Sequence, residues 1–154
     1  MISKDIVKDI LVKHIRETAI FLVDITVSST NKINVEIDSP QGITIEECVS
    51  ISRAVESGLD REANDFELEV SSPGLTQPFK VFEQYLKNCG QMVETLKRDG
   101  HKITGLLRHA DTESILLEIS TKIKEVGQKR PKTVIQPVSI KLNEIKTTKL
   151  ALTF

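Results

Sequence analysis

"VSSPGLTQP" (Val70–Pro78) ends a strand-like run in two serines, a Pro-Gly pair and a second proline. Such a stretch can be an ordinary turn, a serine nucleophile on a strained bend, or a hinge between two domains. The residues on either side decide, because the texture of the chain changes across it.

Upstream, "SKDIVKDILVKHIRET" places Ile6, Val7, Ile10, Leu11 and Ile15 at helical spacing, with Ser3 as N-cap and Asp5 in the first turn. "IFLVDITVS" then alternates through Phe21, Val23, Ile25 and Val27, and "INVEID" through Ile33, Val35 and Ile37, which predicts a hairpin about "SSTNK". A second helix opens at Thr44, and Glu47 three residues later completes a capping box, hydroxyl and carboxylate each satisfying a free backbone N–H. Its apolar face is predicted to comprise Ile45, Cys48, Val49, Ser52, Val55 and Leu59. "FELEV" follows as a third strand with Phe66, Leu68 and Val70 inward, giving an α-β-β-α-β unit.

Downstream, "VFEQYLKNCG" predicts a short helix with Phe82 and Leu86 inward, stopped at Gly90. "QMVETLK", "KITGLLRHA" and "ILLEI" then form a meander, with Gly100 in a hairpin turn and Gly105 at a bend or bulge. "TKIKEVGQKRPKT" is polar and basic and predicts a mobile loop, while Pro137 argues against an uninterrupted central strand in "VIQPVSIKL". Five short strands in so few residues predict a small β-barrel. The expected organisation is therefore an α+β domain over residues 1–78 and a barrel over 79–154. Pro73-Gly74 is predicted to make a type II turn with Gly74 at positive φ, and Pro78 restricts the passage onward.

The 154 residues are 39% hydrophobic and 28% charged, as in a soluble globular protein. No apolar run approaches the roughly 18 residues of a membrane helix, and the mixed-charge start predicts neither a signal nor a transit peptide. Cys48 and Cys89 form no CxxC pair and read as reduced thiols of a cytoplasmic protein. The net charge of -1 conceals an asymmetry: residues 1–85 hold 8 basic and 15 acidic side chains, residues 86–154 hold 13 basic and 7 acidic. The first part should attract basic protein surfaces and the second nucleic acid.

Catalytic signatures are missing. His14, His101 and His109 have no Cys or His at ligand spacing, so no metal is expected, and no G-x-G-x-x-G, P-loop or G-x-S-x-G occurs, so no cofactor is expected either. Ser71 and Ser72 fit a nucleophile poorly, because Pro73 removes the N–H that would donate to an oxyanion. No catalytic residue is assigned. Lys97, Arg98, Lys102 and Arg108 cluster about one predicted hairpin, and Lys122, Lys124, Lys129, Arg130 and Lys132 lie in or beside the basic loop. Such a patch suits phosphates; four contacts would carry a log–log salt slope of about -3 to -4. Beyond residue 86 the one aromatic is Phe154, so contact through backbone and shape is expected rather than base stacking.

"VEIDSPQGITIEECVSISRAVESGLD" followed by "FELEVSSPGLTQPFK" resembles the ribosome maturation factor RimP family, and the later "VETLKRDGHKITGLLRHADTESILLEI" and "IKLNEIKTTKL" extend the likeness over nearly the whole chain. The resemblance implies a barrel of Sm-like (SH3) type and a non-enzymatic factor that binds the small ribosomal subunit during its maturation. Family members commonly follow the SPGL turn with Asp-Arg, where this chain has Thr76-Gln77, and carry glycine where it has Gln41. The expected partners are a basic ribosomal protein, docked by Asp38 and Ser71, Ser72, Pro73, Gly74 and Leu75, and ribosomal RNA, touched by Lys97, Arg98, Lys102 and Arg108. A monomer without membrane contact is expected. A stand-alone Sm-like RNA-binding adaptor is the alternative, and a serine hydrolase a more distant one.

Overall fold

The computed structural model describes residues 2–123, 127, 130 and 132–152, with Lys122, Ile123 and Lys132 described in their backbone. The chain is mixed α+β and divides into two compact units, Met1–Gly74 and Leu75–Phe154. The first carries 7 basic and 14 acidic residues, the second 14 and 8.

The first unit runs α1 (Lys4–Ile15), β1 (Phe21–Val27), β2 (Lys32–Asp38), α2 (Ile45–Gly58) and β3 (Glu67–Ser71). Ser3 caps α1, its hydroxyl accepting from the N–H of Asp5, and Thr44 and Glu47 close the expected capping box on α2. Losing such a cap costs on the order of 1 kcal/mol. The sheet order is β1-β2-β3, antiparallel then parallel, so α2 is the crossover between β2 and β3. Val7, Leu11, Ile25, Ile33, Val35, Ile37, Ile51 and Val55 form its buried core.

Two predicted faces shift. Val23 and Ile25 are buried in β1 as expected, but a bulge between Leu22 and Asp24 brings Leu22 as well against the core beside Ile25 and Val27. In α2 the buried residues are Ile51 and Val55, with Cys48 and Leu59 beside them, whereas Ile45 is 84% exposed and Val49 43%. The helix thus has two apolar stripes, and only one meets the sheet. In α1, Ile6 similarly faces outward.

The second unit runs α3 (Phe82–Lys87), β4 (Met92–Lys97), β5 (Lys102–Ala110), β6 (Ser114–Ile123), β7 (Lys132–Lys141), a 3-10 turn (Leu142–Glu144) and β8 (Ile145–Leu150). The strands pair antiparallel in the order β7-β6-β5-β4-β8. Among the described residues this ladder is open, without a β7–β8 pairing. Pro137 lies inside a continuous β7, opposite Glu118. It is tolerated there because β7 is the edge strand, where a missing N–H need not break a central ladder. In α3, Phe82 packs on the core as predicted, but Leu86 is half exposed and Gln84 is the buried residue. The Gln84 side-chain oxygen accepts from the backbone N–H groups of Lys80 and Val81, which secures the start of the helix.

Gly105 serves close packing. A Cβ there would stand 2.9 Å from the carbonyl oxygen of Glu118 on β6. The bulge of β5 falls instead at Arg108, between Leu107 and His109. Much of the predicted 121–133 loop, with Lys124 and Lys129, lies outside the described residues, as does Phe154.

Candidate binding surfaces

The first unit gathers its candidate residues at one end of the sheet. Glu36 pairs with Ser71 across β2 and β3, and Asp38 lies two residues further along β2. Asp38 is only 7% exposed, and its carboxylate accepts from the N–H of Ser39 at 2.9 Å. The chain then turns: the Ser39 hydroxyl donates to the Gly42 carbonyl at 2.6 Å, and Gly42 takes φ +87°, a conformation that favours glycine. Asp38 is therefore a buried organiser of the loop that feeds α2.

The Ser71–Leu75 segment starts on the last residue of β3 and continues through Ser72, Pro73 and Gly74 without regular secondary structure. Its turn lies at Leu75-Thr76, two residues later than predicted, and Gly74 is not among the glycines at positive φ. The type II turn at Pro73-Gly74 is thus not formed. Ser71 and Pro73 are half-buried, Ser72 and Gly74 exposed, and the Leu75 side chain is 68% exposed.

Beside this exit runs a groove of about 380 Å³ lined by Ile43, Thr44, Ile45, Cys48, Val49, Ser52, Val70 and Ser72. It separates the first turns of α2 from the edge of β3. The Cys48 thiol is pushed up from its ordinary pKa, first by burial and then by the neighbouring Glu47 carboxylate, so it stays protonated and weakly nucleophilic. The groove was not foreseen, although the surplus apolar residues of α2 were its signal.

The basic residues of the second unit surround the β4–β5 hairpin and its neighbours, yet each has an acceptor within the chain. Lys97 lies 3.6 Å from Asp99, Lys102 lies 2.9 Å from Glu94, and Arg108 lies 3.0 Å from Glu118. Arg98 donates from Nε to the Asn143 carbonyl at 2.9 Å, and its N–H to that of Glu144 at 2.8 Å. The Asp99 carboxyl is held below its usual range, chiefly by the backbone N–H of His101 and then by its ring. The sequence showed the cations but not these partners, which strand pairing supplies. Among the described residues no group of three His, Cys, Asp or Glu could hold a metal ion, and no helix is long and apolar enough to cross a membrane.

Residues 10–76 match the RimP N-terminal domain, a stretch that holds α2, the groove and Ser71–Gly74. The ribosome maturation factor RimP of Porphyromonas gingivalis is 38% identical over 146 residues, covering 95% of this chain and 96% of that one. The chain belongs to the ribosome maturation factor RimP family. The members from Flavobacterium psychrophilum and Christiangramia forsetii are 34% and 32% identical, each over 88% of both chains. The family therefore extends across both units, well beyond the matched N-terminal domain. These relatives bear the name of a maturation factor and not of an enzyme.

Proposed function

We propose that this protein is a non-enzymatic assembly factor that binds the small ribosomal subunit while it matures in the cytoplasm. The observation that carries the reading is the near full-length likeness to ribosome maturation factors. In this reading the two units act as two domains with different partners, in line with their opposite charge balance. The acidic first unit docks a basic ribosomal protein through the Ser71–Leu75 exit, with Asp38 holding the adjoining loop in shape. The second unit contacts ribosomal RNA phosphates through Lys97, Arg98, Lys102 and Arg108.

The internal partners of these cations do not oppose that role. They are solvent-exposed contacts, worth about 0–1 kcal/mol each, and phosphate can replace them at little cost. The strand order β7-β6-β5-β4-β8, with one 3-10 turn before the last strand, supports reading the second unit as an Sm-like barrel. The protein acts as a monomer in this scheme.

Sucrose-gradient sedimentation with small subunits and their precursors, at low and high salt, tests the proposal. Co-migration with precursors that weakens as salt rises is expected. Absence of co-migration at every salt concentration removes it.

A further inference from the structure

Among the described residues β3 is the last strand of its sheet, and its pairing with β2 determines where its amide groups point. The Glu67 N–H donates to the Asn31 carbonyl at 3.1 Å, and the parallel register pairs Ile33 with Leu68 and Val35 with Val70. Residues 67, 69 and 71 therefore use their amides toward β2. Those of Leu68 and Val70 point along the outer edge, the geometry that accepts another strand.

The two faces of that edge differ in chemistry. On the helix side lies the groove with Ile45 and Val49, apolar side chains left substantially in water. On the other side Glu67 and Glu69 are exposed. Side chains of an added strand alternate between the same two faces. Apolar residues at every second position would fill the groove, and Lys or Arg at the positions between would lie beside Glu67 and Glu69.

We propose that the outer edge of β3 and the adjoining α2 groove bind an extended segment of a basic protein, alternating aliphatic and cationic residues, as a fourth strand of the first sheet. Main-chain hydrogen bonds supply the register, and the groove and glutamates select the alternation. The inference sharpens the protein-docking role given above to the first unit and rests on that reading for the class of partner.

The test uses the full chain, labelled with nitrogen-15, and a short synthetic peptide alternating lysine and valine. Binding should shift the amide signals of Leu68, Val70 and Ser72 and slow their hydrogen exchange. N-methylation of the peptide at every backbone nitrogen should abolish it, because no donor is then left on either edge of the strand. Ile45→Glu, at an exposed site, should weaken binding about tenfold or more while leaving the fold intact by circular dichroism. Equal binding by the N-methylated peptide or by a glutamate–valine peptide would overturn the proposal. So would shifts away from β3 and α2, no binding at all, or self-association of the chain through β3. Peptide binding without ribosomal co-sedimentation keeps the strand-accepting edge and removes the ribosomal protein as partner. Co-sedimentation without peptide binding removes the edge alone.

Discussion

The phenol of Tyr85 donates a hydrogen bond of 2.9 Å to the hydroxyl of Thr148, joining α3 to β8 across 63 positions of sequence. Thr148 is buried, and its hydroxyl also lies 3.2 Å from that of Thr95 on β4. The Phe79 ring meets Tyr85 edge-on at 5.1 Å, and the Phe79 N–H donates to the Thr148 carbonyl at 2.7 Å. Thr148→Val preserves shape but takes the partner from both Tyr85 and Thr95. It should cost about 1–3 kcal/mol in urea unfolding, and Tyr85→Phe should cost less because no buried donor is stranded. A double variant whose loss equals the sum of the two would show that the hydroxyls are not coupled.

Tyr85 is the one tyrosine of a chain without tryptophan, so tyrosinate absorbance reports it alone. Burial raises its pKa above the ordinary 10.0, with the Thr148 contact acting in the opposite sense and less strongly. A raised folded-state pKa means that the unfolded chain loses this proton first. Its contribution is complete below pH 10 or so and declines as pH rises from there through the folded-state value. The native chain should thus titrate later than the urea-unfolded chain. Its alkaline loss of stability should be smaller in Tyr85→Phe, and coincident native and unfolded titration curves would refute the assignment.

Gly105→Ala tests the close approach of β5 to β6. The new methyl would stand 2.9 Å from the backbone carbonyl oxygen of Glu118, which cannot swing aside as a side chain can. A loss of about 1–3 kcal/mol is expected by urea denaturation, the cost of overpacking a well-filled site. A neutral effect would mean that β6 yields readily at this point.

Replacing Lys97, Arg98, Lys102 and Arg108 together by alanine tests the RNA role of the second unit. The log–log salt slope for binding to small-subunit precursors should flatten by about 3 to 4. Stability should change little, since ion pairs at the surface contribute little to it. An unchanged slope would assign the phosphate contacts elsewhere on the chain.

Local chemistry was legible directly. The caps at Ser3 and Thr44–Glu47, the alternation of Ile33, Val35 and Ile37 and the hairpin glycine Gly100 all depend on neighbours within a few positions. The same holds for the RimP motifs, which are contiguous and carry family membership without any structure. Such signals survive in one dimension because one turn of helix or one pleat of strand contains the whole interaction.

Neighbouring residues alone are thus enough to read the element types, their order and the family. Tertiary structure alone decided which of two apolar stripes on α2 meets the sheet, and hence that Ile45 and Val49 line an open groove. It also decided that β2 and β3 run parallel, that Pro137 sits harmlessly on an edge, and that Lys102 and Arg108 face Glu94 and Glu118. Each of these is a matter of register between distant segments, and a shift of one residue would exchange every face involved.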